Sequence, residues 1–540
     1  MHWQRKLVAC FAALMVAGWG NASLSLAAAQ AERYTGYFAI IWGDGVAGSG
    51  LTAETYWLDD GADLHLRLDM EPELAQPWGG LAALNGRRVT VTGTRTGVSA
   101  QGGEASELVV QSLEPAAGLG AADLGTQAVT GHQPWVSILC NFPDRTPASP
   151  KSLSFFQGMY GNSYPALDHY WRELSYNNVD VVGSGAFGWY TLPQPWAYYV
   201  PSGHLDFDRA ANDCTAKADA NVYFPSYVGI NLMFNAELDG YAWGGGEVLN
   251  RDGMSKYYRM TWEPPWGWGS IGVIEHEMGH GFGLPHSSGM YGATYDNYWD
   301  VMSNTWIDPS RDPTYGAKGQ HTIAPYKDQL GWISAGKKVT LPYKGQVTLT
   351  LEQLAQPQTG GPLLARIPTC DSSRFYSVEA RRKVGYDSIL PGEGVIIHKV
   401  QSGTAYVVDR DLVAPTSNAN LTPSVTYASK TATESFTLTV GSATSTGYVV
   451  TITNTAPCEP PNPPTLLAPA DGSSVQQRRV GFFWQPSASP NQSYLTLQVD
   501  TFPYSNGSPW LLSTSVFLPT TAYTYTFAAD GKYYWHVRST

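Results

Sequence analysis

The sequence predicts a multidomain α+β fold, an α/β metal-binding core set among β-rich modules, and three observations predict it. Short runs of β-branched and aromatic residues, bounded by Gly and Pro, recur towards both ends of the chain. Between them, apolar strands alternate with helical stretches and lead to one helix that carries His276, Glu277 and His280. A stiff proline-rich stretch, Glu459 to Pro464, sets off a last block of strands.

Composition narrows the class. Charged residues are 14% of the 540, against 56 Gly, 36 Pro and 19 Trp, which favours a turn-rich extracellular protein. A net charge of −12 argues against nucleic acid and anionic membrane as partners. Residues 1–31 read as an export signal. Arg5 and Lys6 precede the apolar run Leu7 to Val16, and small residues lead to a cleavage point after Ala31. That run is too short to span a bilayer, so a secreted, extracellular protein with no membrane insertion is expected. Cys140, Cys214, Cys370 and Cys458 then remain. They match no metal-ligand spacing, and an even number in an oxidising compartment predicts two disulfides.

Residues 32–125 hold strands at Tyr37–Trp42, Leu64–Leu68, Arg88–Thr94 and Leu108–Gln111. They suggest a small β-barrel similar to an OB-fold. The module reads either as a pro-segment or accessory unit, or as a packing unit. It has no cysteine and so cannot inhibit a metal site through a thiolate. Ala116 to Gln133, rich in Ala and Gly, reads as a linker.

The core is placed at residues 134–337. Trp135–Cys140 is an apolar strand, Tyr164–Leu174 and Arg209–Ala220 are helical in composition, and Gly229–Phe234 is a further strand before the glycine-rich Gly240–Gly246. Ser270 is placed to cap a helix starting at Ile271. Ile271, Ile274, Met278 and Phe282 form one apolar stripe. His276 and His280 lie roughly 200° around from it, stacked on the other face. Glu277 points beside a metal held by that pair, where a base acting on water belongs. Gly283 can take a positive φ and end the helix, Pro285 blocks its resumption, and the turned chain brings back His286. Three imidazoles with one open position describe a catalytic Zn²⁺ site. A structural Ca²⁺ is not indicated.

The run from His276 to His286 resembles the H-E-x-x-H-x-x-G-x-x-H signature of the metzincin metallopeptidases. The resemblance implies a metzincin-like α/β catalytic domain. It also implies a methionine turn at Trp299–Ser303, with Met302 packed under the histidines. Tyr170–Tyr176, Gly188–Pro193, Lys327–Trp332, Tyr376–Arg381 and Gly394–His398 look like the secreted immune inhibitor A and gametolysin types. The likeness covers about Pro134 to Pro457. His286 departs from the Asp usual in the immune inhibitor A group and is more like gametolysin. No tyrosine follows two residues after Met302, where some metzincins have an extra ligand or oxyanion donor. The resemblance also implies an extended substrate adding to a sheet edge near Ile230–Phe234.

Residues 338–457 show strands again and read as a β-subdomain. His398, on the apolar run Val395–Val400, reads as a core histidine. Residues 465–540 alternate like a sandwich and resemble a fibronectin type III module with Trp484 in its core. Such a module needs one more strand than the chain supplies before Thr540. Cys140 on the first core strand should meet Cys214 on a helix packed against it. Cys370 and Cys458, both in or beside the β-subdomain, should form the second pair. The expected function is a secreted zinc endopeptidase acting on protein or peptide substrates, with Glu277 as base. The alternative is a secreted adhesin or glycan-binding protein on a non-catalytic scaffold, touching a cell surface or polysaccharide through the C-terminal module.

Overall fold

The computed structural model describes residues 31–540 apart from 63, 97–105, 117–127, 306, 372, 412, 415, 432–433, 457–463, 487–493, 502–510, 518–520 and 540. The export signal, most of the first linker, Cys458 and most of the proline stretch lie outside those residues.

The N-terminal module contributes β1 (Glu32–Gly45), β2 (Thr52–Asp59), β3 (His65–Asp69), β4 (Arg87–Thr96) and β5 (Ser106–Pro115). They pair in the order β2-β3-β5-β4-β1, and β1 also pairs with β2, closing a ring. Phe38, Ile40, Trp42, Leu58, Val89, Val91 and Leu108 fill it.

Five further strands follow: β6 (Trp135–Asn141), β7 (Gly185–Thr191), β8 (Gly229–Phe234), β9 (Tyr241–Arg251) and β10 (Met254–Glu263). The first five strands do not stand apart from these. β1 is 14 residues long, and its last four, Trp42 to Gly45, run antiparallel to β9. One ten-stranded sheet results, ordered β2-β3-β5-β4-β1-β9-β10-β8-β6-β7. Within it β8 is parallel to both neighbours, β6 and β10, so Ile230–Phe234 has no free edge for a substrate. β9 gives its other edge to β1 at Trp42–Gly45, and the sheet ends at β7.

The sheet is packed on both faces. α1 (Leu167–Leu174) and α3 (Ile271–Gly281) lie on one, burying Tyr170, Trp171, Ile274 and Met278 with Leu139 and Met233. α2 (Phe207–Ala218) lies on the other, burying Phe207 and Ala211 with Ile230, Leu232 and Trp262. Cys140 of β6 and Cys214 of α2 form a disulfide spanning 74 residues, with Cα atoms 6.0 Å apart. Closing a loop of that length restrains the unfolded chain by about 4 kcal/mol in the loop-entropy model. Cys370 is also disulfide-bonded, while its expected partner Cys458 lies outside the described residues.

The expected α/β character is overturned. Among the described residues strands make up 41% and helices 18%, in several sheets with few helices, which does not match a metzincin-like α/β catalytic domain. The cause is plain in the lengths. α2 and α3 have only 12 and 11 residues, while the central sheet takes five strands from the N-terminal module. Beyond it come a six-stranded and a four-stranded sheet in the region after α3, then two three-stranded sheets from Thr465 onward. Val480, Phe482, Trp484, Leu495 and Leu497 form a separate core between the last two. Among the described residues no helix is long and apolar enough to cross a membrane.

Candidate metal centre

α3 begins at Ile271 as expected, but Ser270 does not cap it with its side chain. The Ser270 hydroxyl instead accepts from the Ala317 amide at 3.2 Å, tying a later loop to the helix start. The helix ends where Gly283 takes φ +91°, and the Leu284 amide bonds the Gly279 carbonyl at 3.1 Å. Gly279 itself is bare for a reason: an added Cβ would strike Met302 Sδ. Met302 is fully buried beneath the helix. Its carbonyl accepts from the Ser287 amide at 3.0 Å, and the Tyr326 hydroxyl bonds the His286 carbonyl at 2.9 Å. These bonds hold the third histidine in place.

The three imidazoles converge. His280 Nε2 lies 3.0 Å from His276 Nε2 and 3.0 Å from His286 Nε2. His276 Nδ1 faces the Val301 carbonyl at 2.6 Å and His280 Nδ1 the Leu284 carbonyl at 2.7 Å. A ring nitrogen facing a carbonyl carries the proton, so in the neutral rings of His276 and His280 the lone pair is on Nε2. Lone pairs that meet at 3.0 Å need positive charge between them. Nitrogens around a tetrahedral ion at zinc–imidazole distance would be about 3.3 Å apart, so the set fits such an ion.

A fourth donor completes the group, and sequence reasoning missed it. Asp44, at the end of β1, places Oδ1 2.8 Å from His286 Nε2 and 3.2 Å from His276 Nε2, with Oδ2 3.4 Å from His280 Nε2. Asp44, His276, His280 and His286 together form a buried cluster able to hold a metal ion. Burial opposes the Asp44 charge, yet the facing His286 and His276 hold its carboxyl well below the usual range. Burial holds His280 down to about 3. It acts on His276 too, but there Asp44 prevails and draws the ring towards its protonated form. The cluster is thus able to hold a cation at its centre. The only sequence signal for Asp44 was a lone acid between glycines at the end of an apolar strand, 232 residues before His276 (276 − 44).

Glu277 lies beside this group, fully buried, with neither carboxyl oxygen hydrogen-bonded. Burial, then the charges of Asp44 and Glu263, push its carboxyl well above the usual range. Glu263, at the end of β10, is pushed up to about 8, chiefly by burial. Gly244 of β9 makes room for Glu277. A Cβ there would sit 2.5 Å from the Glu277 carbonyl oxygen and 2.8 Å from its Oε2. His276, Glu277 and Asp44 wall a cavity of about 630 Å³, with Trp266, Val273, Tyr295, Tyr298 and Ile307 among its other lining residues.

His398 is fully buried, 3.9 Å from Glu379, and takes no part in the cluster. No protein-family model matches the chain and no curated protein matches it, so what the site does is read from its own residues.

Proposed function

We propose that this protein is a secreted zinc-dependent endopeptidase of the H-E-x-x-H-x-x-G-x-x-H type. One observation carries the reading. Three imidazole Nε2 atoms converge within a cluster able to hold a metal ion, and the adjacent Glu277 carboxyl has no partner and faces the same cavity. A buried carboxyl without a hydrogen bond is costly, and catalytic sites are where such groups are kept.

His276, His280 and His286 would hold the ion. Bound there, zinc would act as a Lewis acid on a carbonyl and bring the pKa of water down to about 7. The other work falls to the chain's own groups. Glu277 accepts the proton of the attacking water and returns it to the leaving amide nitrogen. Were β1 to leave its edge, backbone groups of β9 would offer hydrogen bonds to an extended substrate. The Cys140–Cys214 disulfide fits an oxidising, extracellular location.

Zinc content measured beside hydrolysis of an unfolded protein tests this, in the wild type and in an Asp44→Ala chain whose open position is clear. Adding Glu277→Ala to the latter should keep about one zinc per chain and lower the rate by about 10²–10⁴. Adding His280→Ala should lose zinc and activity together. A zinc-loaded Asp44→Ala chain that hydrolyses nothing would overturn the reading.

A further inference from the structure

We propose that the β1–β2 hairpin is a built-in inhibitor of the metal site, with Asp44 as a displaceable fourth ligand. The proposal rests on the peptidase reading for what the hairpin displaces, and on four contacts for the displacement itself.

The first contact is chemical. Asp44 is 6% exposed, and its Oδ2 has no hydrogen-bond partner. Both its oxygens face the three Nε2 atoms. A carboxylate at 2.8–3.4 Å from three imidazoles sits where the fourth ligand of a tetrahedral ion belongs. While it remains there, no water or substrate carbonyl can take that position.

The second contact is the backbone. Trp42 to Gly45 pair in register with Gly244 to Tyr241, so the hairpin takes the edge of β9 as an added strand. Added strands are how extended peptides dock on sheets, and here the chain docks on itself. The third contact is the Trp42 indole, which stacks on the His280 ring at 4.7 Å and 13°. It is anchored by its Nε1 to Glu54 Oε2 at 3.1 Å. The fourth lies at the cavity's outer side. The Tyr295 hydroxyl donates to the Leu51 carbonyl at 2.8 Å, and Gly45 to Gly48 help line the cavity.

A permanent structural ligand would explain Asp44 alone. It does not explain why an unpartnered glutamate is kept beside a coordination shell that would then be closed. Nor does it explain a hairpin with an exposed tip, where Val46 and Leu51 are each 45% exposed. A closed four-ligand shell is the form of structural zinc, whereas a catalytic site keeps a position for exchange. The module's lack of cysteine therefore does not bar inhibition through the metal, because a carboxylate takes the place a thiolate would have.

The test uses the full chain loaded with Co²⁺ and acetohydroxamate as a small metal-seeking probe. Wild type should bind the probe at least tenfold more weakly than Asp44→Ala. Asp44→Ala should also shift the visible Co²⁺ bands as a carboxylate leaves the coordination shell. Asp44→Asn, which keeps the shape and removes the charge, should fall between them and serves if the alanine chain misfolds. Tyr295→Phe, which keeps the ring packed on His286 and removes only the hydroxyl that bonds Leu51, should strengthen probe binding less than Asp44→Ala does. Equal probe affinity in wild type and Asp44→Ala would overturn the proposal. So would loss of cobalt from a folded Asp44→Ala or Asp44→Asn chain, because Asp44 would then be a structural ligand. A chain opened to the probe that still cleaves no protein leaves the inhibitor standing and removes the peptidase reading instead.

Discussion

Lys318 Nζ meets Asp308 Oδ2 at 2.7 Å and Ser310 Oγ at 3.0 Å in the loop that packs on the start of α3. The neighbouring Gly319 amide donates to Glu275 Oε2 at 2.7 Å, so this small ion pair helps to seat α3. Burial alone would raise the Asp308 carboxyl. The bonds from Lys318 and Ser310 outweigh it and bring it from 3.8 down to about 2, and the same pairing raises Lys318. The sign follows from linkage. A carboxyl depressed in the folded state adds stability that is fully present above its unfolded pKa and lost as pH falls through the folded one. Lys318, being raised, loses its share only at strongly alkaline pH. The pair should therefore contribute about 2 kcal/mol above pH 4, fading between about pH 4 and pH 2. Asp308→Asn should flatten the acid limb of a stability–pH curve measured by urea unfolding. If wild type and variant lose stability in parallel between pH 4 and pH 2, Asp308 is not the group responsible.

The segment Trp299–Ser303 is held from both sides, and the more distant side is the less obvious. On the side of the histidine cluster, its Val301 carbonyl faces His276 Nδ1. On the far side, β11 (Arg374–Arg381) of the β-subdomain ends in a fully buried arginine. Arg381 donates to the Trp299 carbonyl at 2.7 Å, to Glu379 Oε1 at 2.9 Å, and through two nitrogens to Asp387 at 2.8 and 2.7 Å. The β-subdomain thus holds, at Trp299, the segment whose Val301 carbonyl faces His276. Arg381→Met should leave Glu379 and Asp387 buried without their cation and cost about 3–5 kcal/mol. It should also weaken zinc retention in a chelator competition, because Trp299 loses its anchor and His276 its fixed orientation. A variant that is destabilised but holds zinc as tightly as wild type would show that the arginine serves folding alone.

Across the whole molecule, what could be read from the sequence was what is local. Helix α3, its end at Gly283 and the meeting of His276, His280 and His286 follow from spacing within eleven residues and from one glycine's freedom at positive φ. The Cys140–Cys214 pair follows from a strand and a helix that pack together. Asp44 was not legible, because its role depends on β1 crossing to β9, a pairing between residues about 200 apart that no short pattern encodes. The balance of the fold was misread for the same reason. Short strand patterns do not reveal whether modules close on themselves or merge, and here the N-terminal one merges into the central sheet. The C-terminal block has equally short strands and the opposite fate. Its strands pair only with one another, in sheets Thr465–Ala468, Arg479–Gln485, Ala522–Thr526 and Tyr494–Asp500, Leu512–Phe517, Tyr534–Ser539. Its core is its own, from Val480 to Val537, whereas Ile41 of the N-terminal module is buried with Val136, Ile230 and Trp243 of the central sheet. Folding units with separate cores melt separately. A chain ending at Pro464 should therefore lose one calorimetric transition and keep the other at an unchanged temperature, with zinc content unaltered. A truncated chain whose remaining transition falls by about 4 °C or more, or which no longer holds zinc, would show that the last block stabilises the metal-binding unit across an interface.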